Sequence, residues 1–293
     1  MVDVPRQLDG EVLDWASKCV GVRPWTLLPG DHEQSDIWIA TSLQGVGYVI
    51  KCHTHRDQAQ REWSVYEFLR SSPHTAFPKP VERWGGDARV LLLEARERGV
   101  LAGLTADLCL QLGRALRHLH SKPIGTVDAL ELRDALIMRW RRLHERFDSP
   151  LSAMENTFVE SALKRVRSNR VWCHRDFGPH NWFMDSRMNQ AWCLDFGQSR
   201  PDYFLVDFTH VRVETLNQPN HWNGFQRGYG RALSTTEERG VWALVAFHAV
   251  ASLAWGQRMD GDQALARGSH YLDVFRRWFR AQERGETCTP SRD

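Results

Sequence analysis

His174-Arg175-Asp176-Phe177-Gly178-Pro179-His180-Asn181, followed after thirteen residues by Asp195-Phe196-Gly197, is the stretch that decides how this chain is read. Short apolar runs surround both motifs: Val171-Trp172-Cys173 before the first, Trp182-Phe183-Met184 after it, and Ala191-Trp192-Cys193-Leu194 before the second. Turn formers separate them, Gly178-Pro179 and Asp185-Ser186-Arg187-Met188-Asn189. Apolar runs bounded by turn residues predict strands, here a hairpin that displays Asp176, Asn181 and Asp195 at its ends. An Asn carbonyl and an Asp carboxylate are hard oxygen donors and suit Mg²⁺, which keeps positions open for other oxygen ligands.

The spacing is that of a phosphoryl-transfer site. Kinase catalytic loops carry His-Arg-Asp with an Asn five residues after the Asp, and Asp-Phe-Gly downstream. Asn181 stands five residues after Asp176, and Asp195 fourteen after Asn181. In that pattern Asp176 sits beside the attacking hydroxyl, Asn181 and Asp195 hold the metal, and His174 braces the loop.

Composition narrows the class. The 293 residues allow two lobes, and 42% hydrophobic with 25% charged residues is ordinary for a soluble globular protein. A net charge of +2 with no long Lys/Arg block argues against a nucleic-acid binder. The six Cys form no C-x-x-C pair, so reduced and mostly buried thiols are expected, and Cys52, His53 and His55 lack a second pair at zinc spacing. The amino terminus has no basic-then-apolar signal and no run approaches a membrane span, which predicts a cytoplasmic protein away from membranes.

The periodicity predicts an α+β chain. Helices are expected over 9–20 and 58–71, and strands at 37–40, 47–51 and 90–94. Together these form a small lobe of residues 1–95. From about 105 the pattern turns helical, with segments near 105–120, 131–147, 152–168, 204–216, 222–232, 236–258 and 262–282. The larger lobe is then 96–282, and the polar stretch 283–293 reads as a frayed tail.

Lys is rare, at five positions, and Lys51 ends the apolar run Val46-Gly47-Tyr48-Val49-Ile50. A strand Lys there is a point charge for nucleotide α/β-phosphates, oriented by a helix Glu. Glu62 is the expected partner and Glu67 its competitor; five residues turn a helix by about 140°, so only one can face Lys51. The phosphate loop falls at 28–36, with a single Gly and with Ser35 as its hydroxyl.

With these residues in place, the chain resembles the aminoglycoside phosphotransferase family, the small-molecule branch of the protein-kinase-like fold. The resemblance covers about 250 residues and rests on His174, Asp176, Asn181, Asp195 and Asp207, and on the segment Leu112–His120 that ends in Leu-His. It implies a two-lobed fold, with a small antiparallel-sheet lobe and a larger, mainly helical one. It also implies ATP or GTP with Mg²⁺ as cofactors, nucleotide contacts from Lys51, Glu62, Ser35 and Glu94, and Asp207 supporting the catalytic loop. About ten residues separate Gly197 from Asp207 and no Ala-Pro-Glu follows, which leaves no room for the activation segment of a protein kinase. Two departures stand out. Arg175 occupies a position where the small-molecule family usually has Gly, and the phosphate loop is glycine-poor.

Family members phosphorylate hydroxyls of antibiotics and other small molecules, and polycationic acceptors call for acidic pockets. Residues 200–293 hold eleven Asp/Glu against twelve Arg, and residues 131–170 six against nine Lys/Arg. That balance favours a neutral or acidic acceptor: a small natural product, or alternatively Ser/Thr of a precursor peptide. A nucleotide-binding pseudokinase is the non-enzyme reading, disfavoured because the base and metal positions are all filled.

Overall fold

The computed structural model describes residues 10–28, 35–70, 77–95, 103–124, 129–165, 170–185, 190–259 and 261–285. The expected phosphate loop, apart from its two ends, and the far end of the tail lie outside them. The chain forms two compact units: Met1–Gly103 with His180–Arg200, and Leu104–Pro179 with Pro201–Asp293. This differs from a simple division at residue 95, because the segment carrying Asn181 and Asp195 packs with the amino-terminal part.

The first unit opens with helix α1 (Gly10–Val20) and strands β1 (Thr26–Leu27), β2 (Ser35–Thr41) and β3 (Gly47–His53). Helix α2 (Arg56–Arg70), β4 (Lys79–Arg83) and β5 (Val90–Ala95) follow. The strands form an antiparallel sheet in the order β1-β2-β3-β5-β4. Val12 and Ala16 of α1 bury one face of it against Trp38, Ile50, Cys52, Val90 and Leu92. Strands β1 and β4 were not expected. The first has two exposed residues, and the second carries Pro80 and a register shift beside it, so neither shows a clean alternation.

In the second unit Thr105 caps helix α3 (Ala106–His120), accepting from Leu108 N at 3.1 Å. Helices α4 (Ala129–Arg146) and α5 (Ala153–Arg165) lead to β6 (Arg170–Cys173). The chain then enters the first unit, where β7 (Trp182–Asp185) and β8 (Gln190–Cys193) pair as an antiparallel hairpin. It leaves through β9 (Arg200–Tyr203). The hairpin is therefore shorter than the sequence suggested: the Val171–Cys173 run pairs with β9 instead. The expected helix over 204–216 is a 3₁₀ turn, Phe204–Asp207, followed by α6 (Phe208–Glu214). Helices α7 (Pro219–Tyr229), α8 (Thr235–Met259) and α9 (Asp262–Glu283) complete the unit.

Two close approaches organise these helices. A β-carbon on Gly228 of α7 would overlap the Leu110 carbonyl of α3, and one on Gly113 of α3 would overlap that of Phe225. Helix α8 is long and apolar enough to cross a membrane by composition, but more than half of that stretch is buried in the core. Val241, Trp242, Leu244, Val245, Ala249 and Val250 are all buried, and Trp242 stacks on Trp278 of α9 at 4.8 Å.

Candidate active site

Each unit carries its own constellation. In the first, Lys51 on β3 is 5% exposed, and its Nζ lies 2.9 Å from Glu62 Oε2 and 2.7 Å from Asp195 Oδ1. Glu62 on α2 is fully buried, while Glu67 is exposed, which settles the partner of Lys51. Glu62 Oε1 also accepts from Tyr66 Oη at 3.0 Å and from the backbone N–H of Phe196 at 3.2 Å. His53 Nε2 sits 2.6 Å from Glu62 Oε2, a close contact that lies off the line of a good hydrogen bond. Burial alone would push the Glu62 carboxyl up; the Lys51 ammonium and His53 outweigh it and hold it far below the usual carboxylate range. Burial alone would lower the Lys51 ammonium, and the two carboxylates raise it instead, so it stays charged.

The hairpin register explains why Asn181 and Asp195 share one end. Trp182 pairs with Cys193, and Leu194 N donates to Asn181 O at 3.0 Å, one residue short of Asp195. Asp195 has φ 62°, unusual for a non-glycine residue, and half of its side chain is accessible. The next two residues anchor the turn. Phe196 is buried edge-on against Tyr66 at 5.3 Å, and Gly197 O accepts from Arg61 Nε at 3.3 Å. Ser35 opens β2 as a buried residue opposite His53, and Glu94 lies on β5 opposite Tyr48.

In the second unit Asp207 is fully buried and braces the loop after β6. Its Oδ2 accepts from His174 N at 2.7 Å and its Oδ1 from Arg175 N at 2.6 Å. His120 Nε2 lies 3.0 Å from Oδ2, and His120 Nδ1 2.9 Å from Tyr229 Oη. Burial opposes the Asp207 charge, but these partners win and hold its carboxyl below the usual range. His120, Cys173 and Asp207 are near enough to one another to suggest a metal site, yet these hydrogen bonds already engage the His and Asp, and burial keeps the Cys173 thiol protonated. Arg175 takes φ 69° and turns its Nε to 2.8 Å from Asp202 Oδ2. That is how the loop accommodates a long side chain in a conformation that favours glycine. His174 is fully buried, and its Nδ1 accepts from Asp176 N at 3.3 Å. The Asp176 side chain is one-third exposed.

The model of the phosphotransferase enzyme family (aminoglycoside phosphotransferases) matches residues 24–247. The chain belongs to this family. Solved family structures share its α+β, protein-kinase-like fold. The macrolide 2′-phosphotransferase from Brachybacterium faecium superposes with a TM-score of 0.64 at 13% identity, covering 89% of this chain and 96% of that one. The aminoglycoside 2′-phosphotransferase-IIIa in its GDP complex gives 0.67 at 13%, covering 90% and 96%. An aminoglycoside phosphotransferase in a ternary complex with streptomycin and ATP gives 0.60 at 15%, covering 92% and 99%. No curated protein sequence matches.

For this phosphotransferase-family chain, sequence reasoning named the residues at kinase spacing, with Glu62 and Asp207 beside them, and missed others that hold them in place. His53, Tyr66 and Tyr229 carry no motif. His120 was visible only as the end of a Leu-His helix, and its partner Asp207 stands 87 residues away.

Proposed function

We propose that the protein transfers the γ-phosphoryl group of ATP, with magnesium, to a hydroxyl of a neutral or acidic small molecule in the cytoplasm. The observation that carries this is the buried Lys51 held between Glu62 and Asp195. A cation so placed is oriented, stays charged and suits nucleotide phosphates. The donor set fits magnesium: Asn181 and Asp195 offer oxygens at one hairpin end, and Asp195 keeps half of its side-chain surface accessible. When bound, the metal neutralises phosphate charge. Lys51 positions the phosphates. Asp176 orients the acceptor hydroxyl and takes its proton as the new O–P bond forms. The transition state is loose, so positioning and charge supply most of the rate.

The acceptor class is supported by charge balance: residues 200–293 hold eleven Asp/Glu against twelve Arg, and residues 131–170 six against nine Lys/Arg, not the acidic excess that a polycation calls for. The test is magnesium-dependent ATP consumption against macrolides, aminoglycosides, neutral natural products and Ser/Thr peptides. Asp176→Ala is expected to lower turnover by at least ~10²–10⁴-fold while nucleotide affinity stays near that of the wild type. Full activity in that variant would remove Asp176 from the mechanism, and a preference for peptides would move the acceptor to a precursor chain.

A further inference from the structure

His210 stands on α6, 5% exposed, and the roles assigned so far do not use it. Its Nδ1 is hydrogen-bonded to the hydroxyl of Tyr271 on α9. Its Nε2 lies 3.8 Å from Asp176 Oδ1. The ring of His248 on α8 approaches it nearly perpendicularly, with centroids 6.0 Å apart. Burial raises the Tyr271 phenol well above its ordinary range, so the O–H keeps its proton and can donate it to Nδ1. A ring that accepts at Nδ1 carries its hydrogen on Nε2, the atom nearest the carboxylate. Arg175, the residue before Asp176, pairs with Asp202.

We infer that His210, locked by Tyr271, is a positioning residue for Asp176: its Nε2 faces one carboxylate oxygen at 3.8 Å and restrains the rotation of that carboxylate. The inference rests on the phosphotransfer reading above. During transfer the acceptor O–H bond breaks and its proton goes to Asp176. The O–P bond forms as the bond to the leaving phosphate oxygen breaks. His210 gains and loses nothing, and its work is to keep the carboxylate from rotating. Three elements meet at this point: the loop after β6, α6 and α9.

The test compares His210→Phe, His210→Gln and Tyr271→Phe with the wild type in magnesium-dependent ATP turnover. Water serves as the acceptor where none of the panel above reacts, and nucleotide affinity is followed by tryptophan fluorescence. His210→Phe is expected to lose about 10- to 100-fold in kcat, with KM and Kd for ATP within about twofold of wild type. His210→Gln returns most of the rate, because its amide N–H reaches the position of Nε2, and Tyr271→Phe falls between the two. Wild-type kcat in a folded His210→Phe overturns the inference. So does a loss of nucleotide affinity in step with kcat, or failure of the Gln variant to recover. If His210→Phe does not fold, the Gln and Tyr271→Phe variants decide: both at wild-type kcat, or the Gln variant no faster than Tyr271→Phe, refutes the role. A wild type with no magnesium-dependent turnover overturns the phosphotransfer reading itself, and this inference with it. An active wild type with unaffected variants sinks only the inference.

Discussion

Asp207 holds three N–H donors from one buried carboxylate, and the loop that carries Asp176 hangs from two of them. Asp207→Ala leaves those donors unpaired and is expected to cost roughly 3–5 kcal/mol, read as a lower urea midpoint. The sign of its pH dependence follows from its depressed pKa. The carboxylate's contribution is fully present above its ordinary pKa of 3.8 and is lost as pH falls through the lower folded value. The Ala variant should therefore show a flatter acid limb in stability against pH. At this scale the sequence was legible in the placement of Asn181 and Asp195 at one end of a hairpin. It was opaque where a residue acts by proximity alone. The sequence left Glu62 and Glu67 open, and only the facing of α2 toward β3 separates them. His53 could be dismissed as a zinc ligand but not foreseen as a neighbour of Glu62.

The contact of α3 with α7 turns glycines into site architecture. Gly228 lies against the backbone of α3, and the next residue, Tyr229, reaches His120 at the end of that helix. Gly228→Ala must push the two helices apart. It is expected to lower stability by about 1–3 kcal/mol, measured by thermal or urea unfolding. Activity should fall as well, since the Tyr229–His120–Asp207 chain loosens. Helix α8 supplies a second expectation. Burial, aided by the Arg175 charge, pushes the His248 imidazole down to about 4 from an ordinary 6.5, against the opposing pull of Asp176 and Asp202. The folded state thus binds fewer protons than the unfolded chain between those values, and stability falls as pH drops through that window. The residue keeps some solvent contact, so the loss is on the order of 2 kcal/mol, and His248→Gln should remove that step from the stability profile. The long helices were legible because they repeat an apolar stripe. The two-residue β1, the Pro-bearing β4 and the pairing of β6 with β9 were not, since partners distant in sequence decide them.

For the molecule as a whole, the kinase-like α+β class was readable from one motif pair and a change of periodicity near residue 105. The position of the hairpin was not, because the Lys51–Asp195, Tyr66–Phe196 and Arg61–Gly197 contacts that draw it into the first unit each span more than a hundred residues. Those long spans bear on how the protein is made. Met1–Gly103 leaves the ribosome before the other unit, yet it lacks His180–Arg200 until the whole of the other unit's first stretch, Leu104–Pro179, has followed. A nascent chain that ends at Pro179 holds Lys51 and Glu62 but has not yet made Asp195. Synthesis therefore delivers Lys51 long before its second carboxylate partner. The unit that emerges first cannot be finished first.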